Sequence, residues 1–169
     1  MTGQSKSPAD ADIERFRDVL GRFCSGIVVV TALDKGRPIG FTCQSFASLS
    51  LDPRLIMLSP GRTSTTWPSI RNIGSFCVNV LAEDQADVSA RFGRPGKDKF
   101  EGVRWVQSPG GAPLILGSLA WIDCQLWAEH DGGDHTIALG QVTNFDAATS
   151  GSPVVFFRGS YAALTLSTF

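Results

Sequence analysis

The sequence predicts a mainly β fold, a β-barrel with a few flanking helices. Short runs rich in Val, Ile, Leu and aromatic residues recur along the chain, and turn residues such as Gly, Asp and Pro separate them. Helical spacing of apolar residues is confined to a few short stretches. With 169 residues, 43% of them apolar, the chain is long enough to enclose one full core. We therefore expect a single domain over residues 13–169, preceded by a disordered or mobile segment over residues 1–12.

The first element is predicted to be an amphipathic helix. Its apolar residues repeat at helical spacing after a polar lead. They are Ile13, Phe16, Val19, Leu20 and Phe23. The helix should end near Ser25 and Gly26, and its apolar stripe is expected to cover one end of a sheet.

Antiparallel strands are predicted next. Gly36 lies in a turn between two apolar runs, which predicts a hairpin, and Asp52–Pro53 separates the following two runs. The predicted strands are Gly26–Leu33, Pro38–Thr42, Phe46–Leu51 and Leu55–Leu58.

The rest of the chain is predicted to contain two short helices and further strands. The helices are expected at Ser64–Asn72 and Gln85–Phe92, and a loop dense in Gly, Pro and charge follows at Gly93–Lys99. The strands are expected at Ser75–Leu81, Leu119–Glu129, Thr136–Phe145 and Val154–Phe157. Many strands and few helices together favour a barrel.

Composition excludes several classes of function. The 15 Lys and Arg residues against 16 Asp and Glu give a net charge of -1, so the chain lacks the basic footprint of a nucleic-acid-binding protein or a polybasic membrane patch. No apolar run is long enough to span a bilayer, and we expect a cytoplasmic protein. The cysteines Cys24, Cys43, Cys77 and Cys124 form no C-x-x-C pair, which argues against a metal site. The usual nucleotide-binding and serine-hydrolase signatures are absent.

Two polar clusters lie beside predicted strands. Thr42–Ser45 supplies hydroxyls and an amide that can bond a flat heteroaromatic ring, although an ordinary strand end is an equal alternative in isolation. Ser59–Thr66 surrounds Arg62 with hydroxyls just before a predicted helix, an arrangement that favours an anion such as phosphate. A capping loop with a solvated arginine is the commoner explanation of any single loop of this kind.

A third cluster and a histidine complete the candidate residues. In Arg91–Arg94 an aromatic residue stands between cations, with Lys97 and Lys99 close behind; the default explanation is a charged surface loop. His135 follows a Gly132–Asp134 turn between two strands, where a binding residue and an idle one are both plausible. Together the three clusters describe a ligand with a planar ring and a phosphate.

Five motifs, in order, carry a resemblance to a known family. They are FTCQSFASLSLDP, the RTST loop, CVNVLAEDQADVSARFG, DKFEG and GGDHTIALGQV. The chain resembles the flavin reductase family, and in particular the small reductase component of two-component flavin-dependent monooxygenases. The similarity runs from about Phe16 to Tyr161. It implies a split β-barrel of antiparallel Greek-key topology, usually a homodimer, that transfers hydride from NADH or NADPH to free FMN or FAD, after which the reduced flavin diffuses to an oxygenase.

The resemblance also implies roles for particular residues. Those expected to line the isoalloxazine are Thr42, Cys43, Gln44 and Ser45, with backbone N–H groups around Gln44 to Ala47 near the flavin carbonyl. Those expected to serve the ribityl chain and phosphate are Ser59, Arg62, Thr63, Ser64 and Thr65. Arg91, Phe92 and Gly93 would complete the pocket, Tyr161 matches a family aromatic, and His135 would contact the nicotinamide.

One departure from the family pattern concerns Cys43 and Gln44. Many members have a small residue followed by Asn at these positions, and members that act with oxygenases of steroid-derived and other polycyclic phenols look closer. We therefore expect a partner monooxygenase that hydroxylates a phenolic or polycyclic aromatic substrate.

The mechanism that the resemblance implies needs no protein acid, since hydride passes directly to the flavin when the two rings stack about 3–3.5 Å apart. His135 is accordingly assigned positioning and hydrogen bonding. Two other functions stay open at this point. A split-barrel protein with a retained prosthetic flavin would act as an oxidase or electron carrier, and a non-catalytic β-barrel binding module would bind no flavin.

Overall fold

The computed structural model describes residues 8–96 and 98–164. Within them are three α-helices and twelve β-strands. The helices are α1 Pro8–Leu20, α2 Trp67–Ile73 and α3 Ala86–Phe92, and a single 3-10 turn, Glu83–Gln85, precedes α3. The strands are β1 Ser25–Gly26, β2 Val28–Asp34, β3 Arg37–Cys43, β4 Ala47–Leu51, β5 Arg54–Leu58, β6 Ser75–Val80, β7 Trp105–Gln107, β8 Pro113–Ile115, β9 Ala120–Gly132, β10 His135–Ala147, β11 Val154–Phe157 and β12 Ser160–Ala163.

Seven strands form one antiparallel sheet in the order β3-β2-β6-β9-β10-β5-β4. The two longest, β9 and β10, have 13 residues each and pair over their whole length. Strands β1, β11 and β12 form a second sheet, and β7 pairs with β8. Among the described residues no pairing joins β3 to β4, so the barrel is not closed. The mainly β, antiparallel fold with few helices is confirmed.

Strand β2 explains why its sequence is a continuous apolar run. Val28 and Val30 pack into one core cluster, together with residues of α2, β5, β6 and β10. Val29 points to the other face and packs in a second cluster with Phe92 and Val154. Because a strand presents alternate residues to opposite faces, a strand buried on both faces has no polar side to show. The first cluster thus packs α2, and the second packs α3, against the main sheet.

Helix α1 differs from the prediction in its bounds and its packing. It begins at Pro8 and ends at Leu20, so residues 8–12 of the expected mobile segment are helical; residues 1–7, Lys97 and residues 165–169 lie outside the described residues. The prediction that its stripe covers a sheet is wrong for the chain as described. Ile13, Phe16, Val19 and Leu20 are 51–61% exposed. Helical spacing shows that one face is apolar and does not show what covers that face.

Other boundaries also moved for identifiable reasons. Helix α2 begins at Trp67. In the turn before it, the Ser64 hydroxyl accepts the backbone N–H groups of Thr66 and Trp67. Ser25–Gly26 is a short strand that pairs with β11. The short strands β7, β8 and β12 were not predicted. Strand β11 has the predicted bounds.

Candidate functional site

A cleft of about 850 Å³ lies where the end of β3, the loop after β5, the β9–β10 hairpin and α3 meet. This volume is within the range of about 300–1,000 Å³ that small-molecule sites occupy. Its lining combines polar side chains with the apolar rims of α1 and β11. The lining residues are Leu20, Phe41, Thr42, Cys43, Gln44, Ser45, Ser59, Pro60, Gly61, Ser89, Ala90, Gly93, Arg94, His135, Phe156 and Tyr161.

The end of β3 connects the two sides of this cleft. On one side the Thr42 hydroxyl donates to the Ser89 carbonyl of α3 at 2.6 Å. On the other, the Ser45 hydroxyl donates to the Ser59 carbonyl and accepts the Ser59 N–H, at 3.1 and 3.0 Å. The Cys43 thiol, which is buried, lies 3.2 Å from the Ser45 hydroxyl. The segment Thr42–Ser45 therefore forms the middle of the cleft, with α3 at one end and the loop after β5 at the other.

His135 occupies that second end. It is the first residue of β10 and pairs with Gly132, so only two residues, Gly133 and Asp134, form the turn. Gly133 has φ 75°, a left-handed conformation at the first turn position that glycine adopts without steric cost. The two-residue turn therefore fixes the position of the His135 backbone at the start of β10.

The loop after β5 locks this hairpin tip in place. The Arg62 N–H donates to the Asp134 carbonyl and the Thr136 N–H to the Pro60 carbonyl, both at 2.9 Å, and Gly61 makes an isolated bridge with His135. The Arg62 guanidinium donates from Nε to the Gly133 carbonyl and from Nη2 to Asp131 Oδ1, both at 2.6 Å. The hydrogen bond from the Arg62 guanidinium to the Asp131 carboxylate holds the pKa of Asp131 below its usual value. Arg62 therefore clamps the hairpin and does not line the cleft.

The Asp134 carboxylate orients the imidazole. His135 Nδ1 lies 2.7 Å from Asp134 Oδ1, and the hydrogen bond from His135 is the main cause that lowers the pKa of Asp134. Because an ionised carboxylate only accepts hydrogen bonds, Nδ1 carries the proton in this pair. Nε2 is then the ring atom available to a ligand, and it lies beside Gly61, another lining residue.

The opposite end of the cleft is built by α3 and β12. Tyr161 donates its hydroxyl to Ser89 Oγ at 3.1 Å and stacks edge-on with Phe156, with the ring centroids 5.4 Å apart. Gly93 and Arg94 follow α3 directly. Arg94 also lines the cleft and belongs to the predicted third cluster, although the family pattern did not single it out. The one sequence feature that pointed to Arg94 as a binding residue is its position between Gly93 and Pro95 in a charged loop.

The structure brings together eight of the residues that the sequence pointed to. They are Thr42, Cys43, Gln44, Ser45, Ser59, Gly93, His135 and Tyr161. It places the remaining side chains elsewhere. Phe92 is a core residue, 1% exposed, and Ala47 begins β4. Thr65 lines one smaller pocket, and Ser64 and Arg62 line another. Arg91 lines a neighbouring groove, and Thr63 lines none of these cavities.

Several polar groups around the cleft are free to serve a ligand, as far as the described part of the chain shows. The backbone N–H groups of Gln44, Ser45 and Phe46 donate to no acceptor among the described residues. Arg94 makes no side-chain hydrogen bond or ion pair there either. Directed donors beside an apolar wall suit a flat ring with carbonyl and ring-nitrogen acceptors, and a free guanidinium suits a phosphate.

Two other kinds of site find no support in the described chain. No group of three or more His, Cys, Asp or Glu residues is arranged to hold a metal ion among residues 8–96 and 98–164. None of the helices described above is long and apolar enough to cross a membrane. Burial raises the pKa of the Cys124 thiol to about 12 and also raises that of Cys77 strongly, so both thiols stay protonated in the core.

Comparison with known proteins gives consistent results. Residues 20–165 match the model of the flavin reductase like domain. The reductase subunit HsaB of a flavin-dependent monooxygenase from Rhodococcus jostii is 48% identical over 165 residues, which cover 97% of this chain and 85% of that protein.

Solved structures agree with the sequence matches. A homologue of nitrilotriacetate monooxygenase component B from Mycobacterium thermoresistibile superimposes with a TM-score of 0.90 at 43% identity, covering 95% of this chain and 94% of its own. The NADH:FAD oxidoreductase SgcE6 of Streptomyces globisporus, solved with NAD and FAD fragments, gives a TM-score of 0.87 at 31% identity, with 96% and 98% covered.

Proposed function

The chain belongs to the flavin reductase-like domain family, and on that basis we propose that it is an NAD(P)H:flavin oxidoreductase. It reduces free FMN or FAD with NADH or NADPH and releases the reduced flavin to a partner oxygenase. The observation that carries the proposal is the single cleft in which Thr42–Ser45, Ser59, His135 and Tyr161 meet. No protein nucleophile or metal is needed, because a bound flavin accepts hydride directly from a reduced nicotinamide.

The residues of the chain supply binding and orientation. The N–H groups of Gln44 to Phe46 donate to the carbonyl edge of the flavin ring, where negative charge grows on reduction. His135 Nε2 accepts a hydrogen bond from the carboxamide of the nicotinamide, while Asp134 holds the ring at Nδ1. The clamp of Arg62 on the hairpin keeps this geometry without contact to the ligand. These residue roles rest on the cleft and on the chemistry of its donors.

Steady-state oxidation of NADH and NADPH with FMN, FAD and riboflavin tests the proposal. We expect a colourless protein after gel filtration that consumes NADH only when flavin is added. A yellow protein whose flavin is reduced but not exchanged would favour the prosthetic-group alternative. A protein that binds none of the three flavins would leave only a binding module and would overturn the proposal.

We propose further that the oxygenase partner hydroxylates a phenolic or polycyclic aromatic substrate. An oxygenase partner is supported by the relative HsaB, which is named as the reductase subunit of a flavin-dependent monooxygenase. The substrate class rests on the resemblance described above at Cys43–Gln44. Transfer by diffusion predicts that the reductase supports the oxygenase across a dialysis membrane. Product formation only in direct mixture would contradict diffusive transfer.

The exposed face of α1 supports a homodimer. Four large apolar residues on one helix face are more than half exposed, and such a contiguous patch usually marks an interface. Leu20 lies on this face and also at the rim of the cleft, so a second copy placed on α1 would help to enclose the ligand.

Replacing Phe16, which is 61% exposed, with Glu should shift the protein from dimer to monomer, because a charge would then be buried in the interface. Light scattering coupled to gel filtration measures the mass. Leu51→Glu on β4, at a residue that is 90% exposed, is the matched control and should stay dimeric. A wild-type monomer, or a Phe16→Glu dimer, would contradict this interface.

A further inference from the structure

Arg94 is the cation that the cleft leaves unused. The neighbouring cations are engaged: Arg91 donates to the Glu101 carbonyl, and Lys99 donates to the carbonyls of Phe92 and Gly40 at 3.0 and 3.3 Å. Arg62 is held by Asp131 and Gly133 at the other end of the cleft. Within the part of the chain that the structure describes, the exposed Arg94 guanidinium has no hydrogen bond or ion pair. It is therefore available to an anion.

A second groove of about 520 Å³ lies next to the cleft. Ala90 and Arg94 line both spaces, so Arg94 stands at the wall that they share. The second groove is the more strongly charged of the two. Its described lining residues are Asp87, Ala90, Arg91, Arg94, Pro95, Gly96, Asp98 and Lys99.

The order of contacts along the cleft gives the direction of a ligand. Thr42 bonds Ser89 on the α3 side, and Ser45 bonds Ser59 on the side of the His135 hairpin. Arg62, near the hairpin side, is held by Asp131 and Gly133, whereas Arg94, near the α3 side, is free to meet an anion. A flavin ring over Thr42–Ser45 would therefore direct its ribityl chain and first phosphate towards α3 and Arg94.

FMN and FAD differ beyond that first phosphate. FMN ends there, whereas FAD continues with a second phosphate and an adenosine. The second groove shares Arg94 with the cleft, and that guanidinium can bind a diphosphate. The carboxylates of Asp87 and Asp98 can accept hydrogen bonds from ribose hydroxyls and the adenine amino group.

We propose that Arg94 binds the diphosphate of FAD and that the second groove holds its AMP half, so that FAD is the preferred flavin. This inference rests on the proposed flavin reductase function. It concerns flavin selection only, and it leaves the placement of the nicotinamide at His135 unchanged.

Equilibrium titration with riboflavin, FMN and FAD, followed by flavin fluorescence, tests the proposal. The wild type should bind FAD at least several-fold more tightly than FMN. Arg94→Gln should weaken FAD by roughly tenfold or more, because a charge-assisted bidentate contact is lost, and Arg94→Lys should restore part of that loss. Riboflavin has no phosphate, so its dissociation constant serves as the internal reference. Arg104 is exposed and lies outside the cleft and the second groove. The control variant Arg104→Gln should therefore bind FAD like the wild type.

Three results would overturn the inference. The first is a wild type that binds FMN as tightly as FAD. The second is an Arg94→Gln variant with an unchanged FAD constant. The third is a raised KM for NADH in Arg94→Gln with unaffected FAD binding, since Arg94 would then bind the diphosphate of the nicotinamide cofactor. Failure of the proposed function looks different, because the wild type would then oxidise no NADH with any of the flavins.

Discussion

Replacing His135 with Ala should lower kcat/KM for NADH by roughly 10- to 100-fold while the dissociation constant for flavin stays within about twofold of the wild type. The imidazole is placed at one end of the cleft, beyond the segment Thr42–Ser45 that serves the flavin ring. Loss of the side chain removes an orienting contact to the nicotinamide and leaves the flavin contacts in place. Stopped-flow measurement of flavin reduction at varied NADH separates binding from hydride transfer.

The size of this effect follows from the number of constraints on His135. Asp134 holds Nδ1, the hairpin fixes the backbone through Gly133, and the loop after β5 adds the two backbone hydrogen bonds of Arg62 and Thr136. A side chain held in this way can orient a ligand with little entropic cost on binding. A shift of the nicotinamide carbon by about 1 Å from its position over the flavin can slow hydride transfer by roughly 100-fold.

His130→Ala is the matched control, because His130 is the other histidine of the sequence, is exposed on β9 and lies outside the cleft. It should reduce flavin like the wild type. A His135→Ala enzyme with unchanged NADH kinetics would remove His135 from the site. An equal loss of flavin affinity would show instead that the hairpin supports the flavin itself.

The fold could be predicted from the sequence where periodicity was strong. Alternating and continuous apolar runs gave most strands, and β11 agrees residue for residue. The helix face of α1 was also correctly identified as apolar. Its exposure could not be foreseen, because helical spacing shows that one face is apolar and does not show what that face packs against.

The sequence indicated which residue types surround the candidate site better than it indicated where their side chains point. Arg62 among hydroxyls has the composition of an anion loop, yet its guanidinium turns to Asp131 and Gly133. Those two partners lie about 70 residues further along the chain, and no local pattern links them to Arg62. Phe92 was expected to complete the flavin pocket, but it is buried against Phe100, with the ring centroids 4.8 Å apart. Arg94 stands out only in the structure, where the neighbouring cations Arg91 and Lys99 are hydrogen-bonded and Arg94, among the described residues, is not.

Replacing Trp67 with Ala should reduce the free energy of unfolding by about 3–5 kcal/mol, the usual cost of deleting a large buried aromatic side chain. Trp67 is the first residue of α2 and is 2% exposed. Its ring meets Phe41 and Phe76 edge-on, each with a centroid distance of 6.1 Å. Since Phe41 also lines the cleft, the cavity left by Ala would lie directly behind the proposed ring site.

Most of this loss should come from packing and little from the indole hydrogen bond. Trp67 Nε1 donates to Glu129 Oε1 at 2.8 Å, but Glu129 keeps an ion pair with Arg71 at 2.6 Å and is not left unpaired. Trp67→Phe keeps a six-membered aromatic ring but loses the donor and part of the indole. It should therefore cost about 1 kcal/mol for the hydrogen bond, plus a packing loss smaller than that of Trp67→Ala.

Thermal unfolding followed by circular dichroism distinguishes these contributions. For a chain of this size each kcal/mol shifts the midpoint by roughly 2–4 °C, so Trp67→Ala should lower Tm by about 10 °C and Trp67→Phe by only a few degrees. Trp127→Ala is the comparison for an indole that is 53% exposed, and its shift should be small. If Trp67→Ala and Trp127→Ala lowered Tm equally, or if Trp67→Phe were as costly as Trp67→Ala, the core behind the cleft would not be held by the aromatic contacts of Trp67.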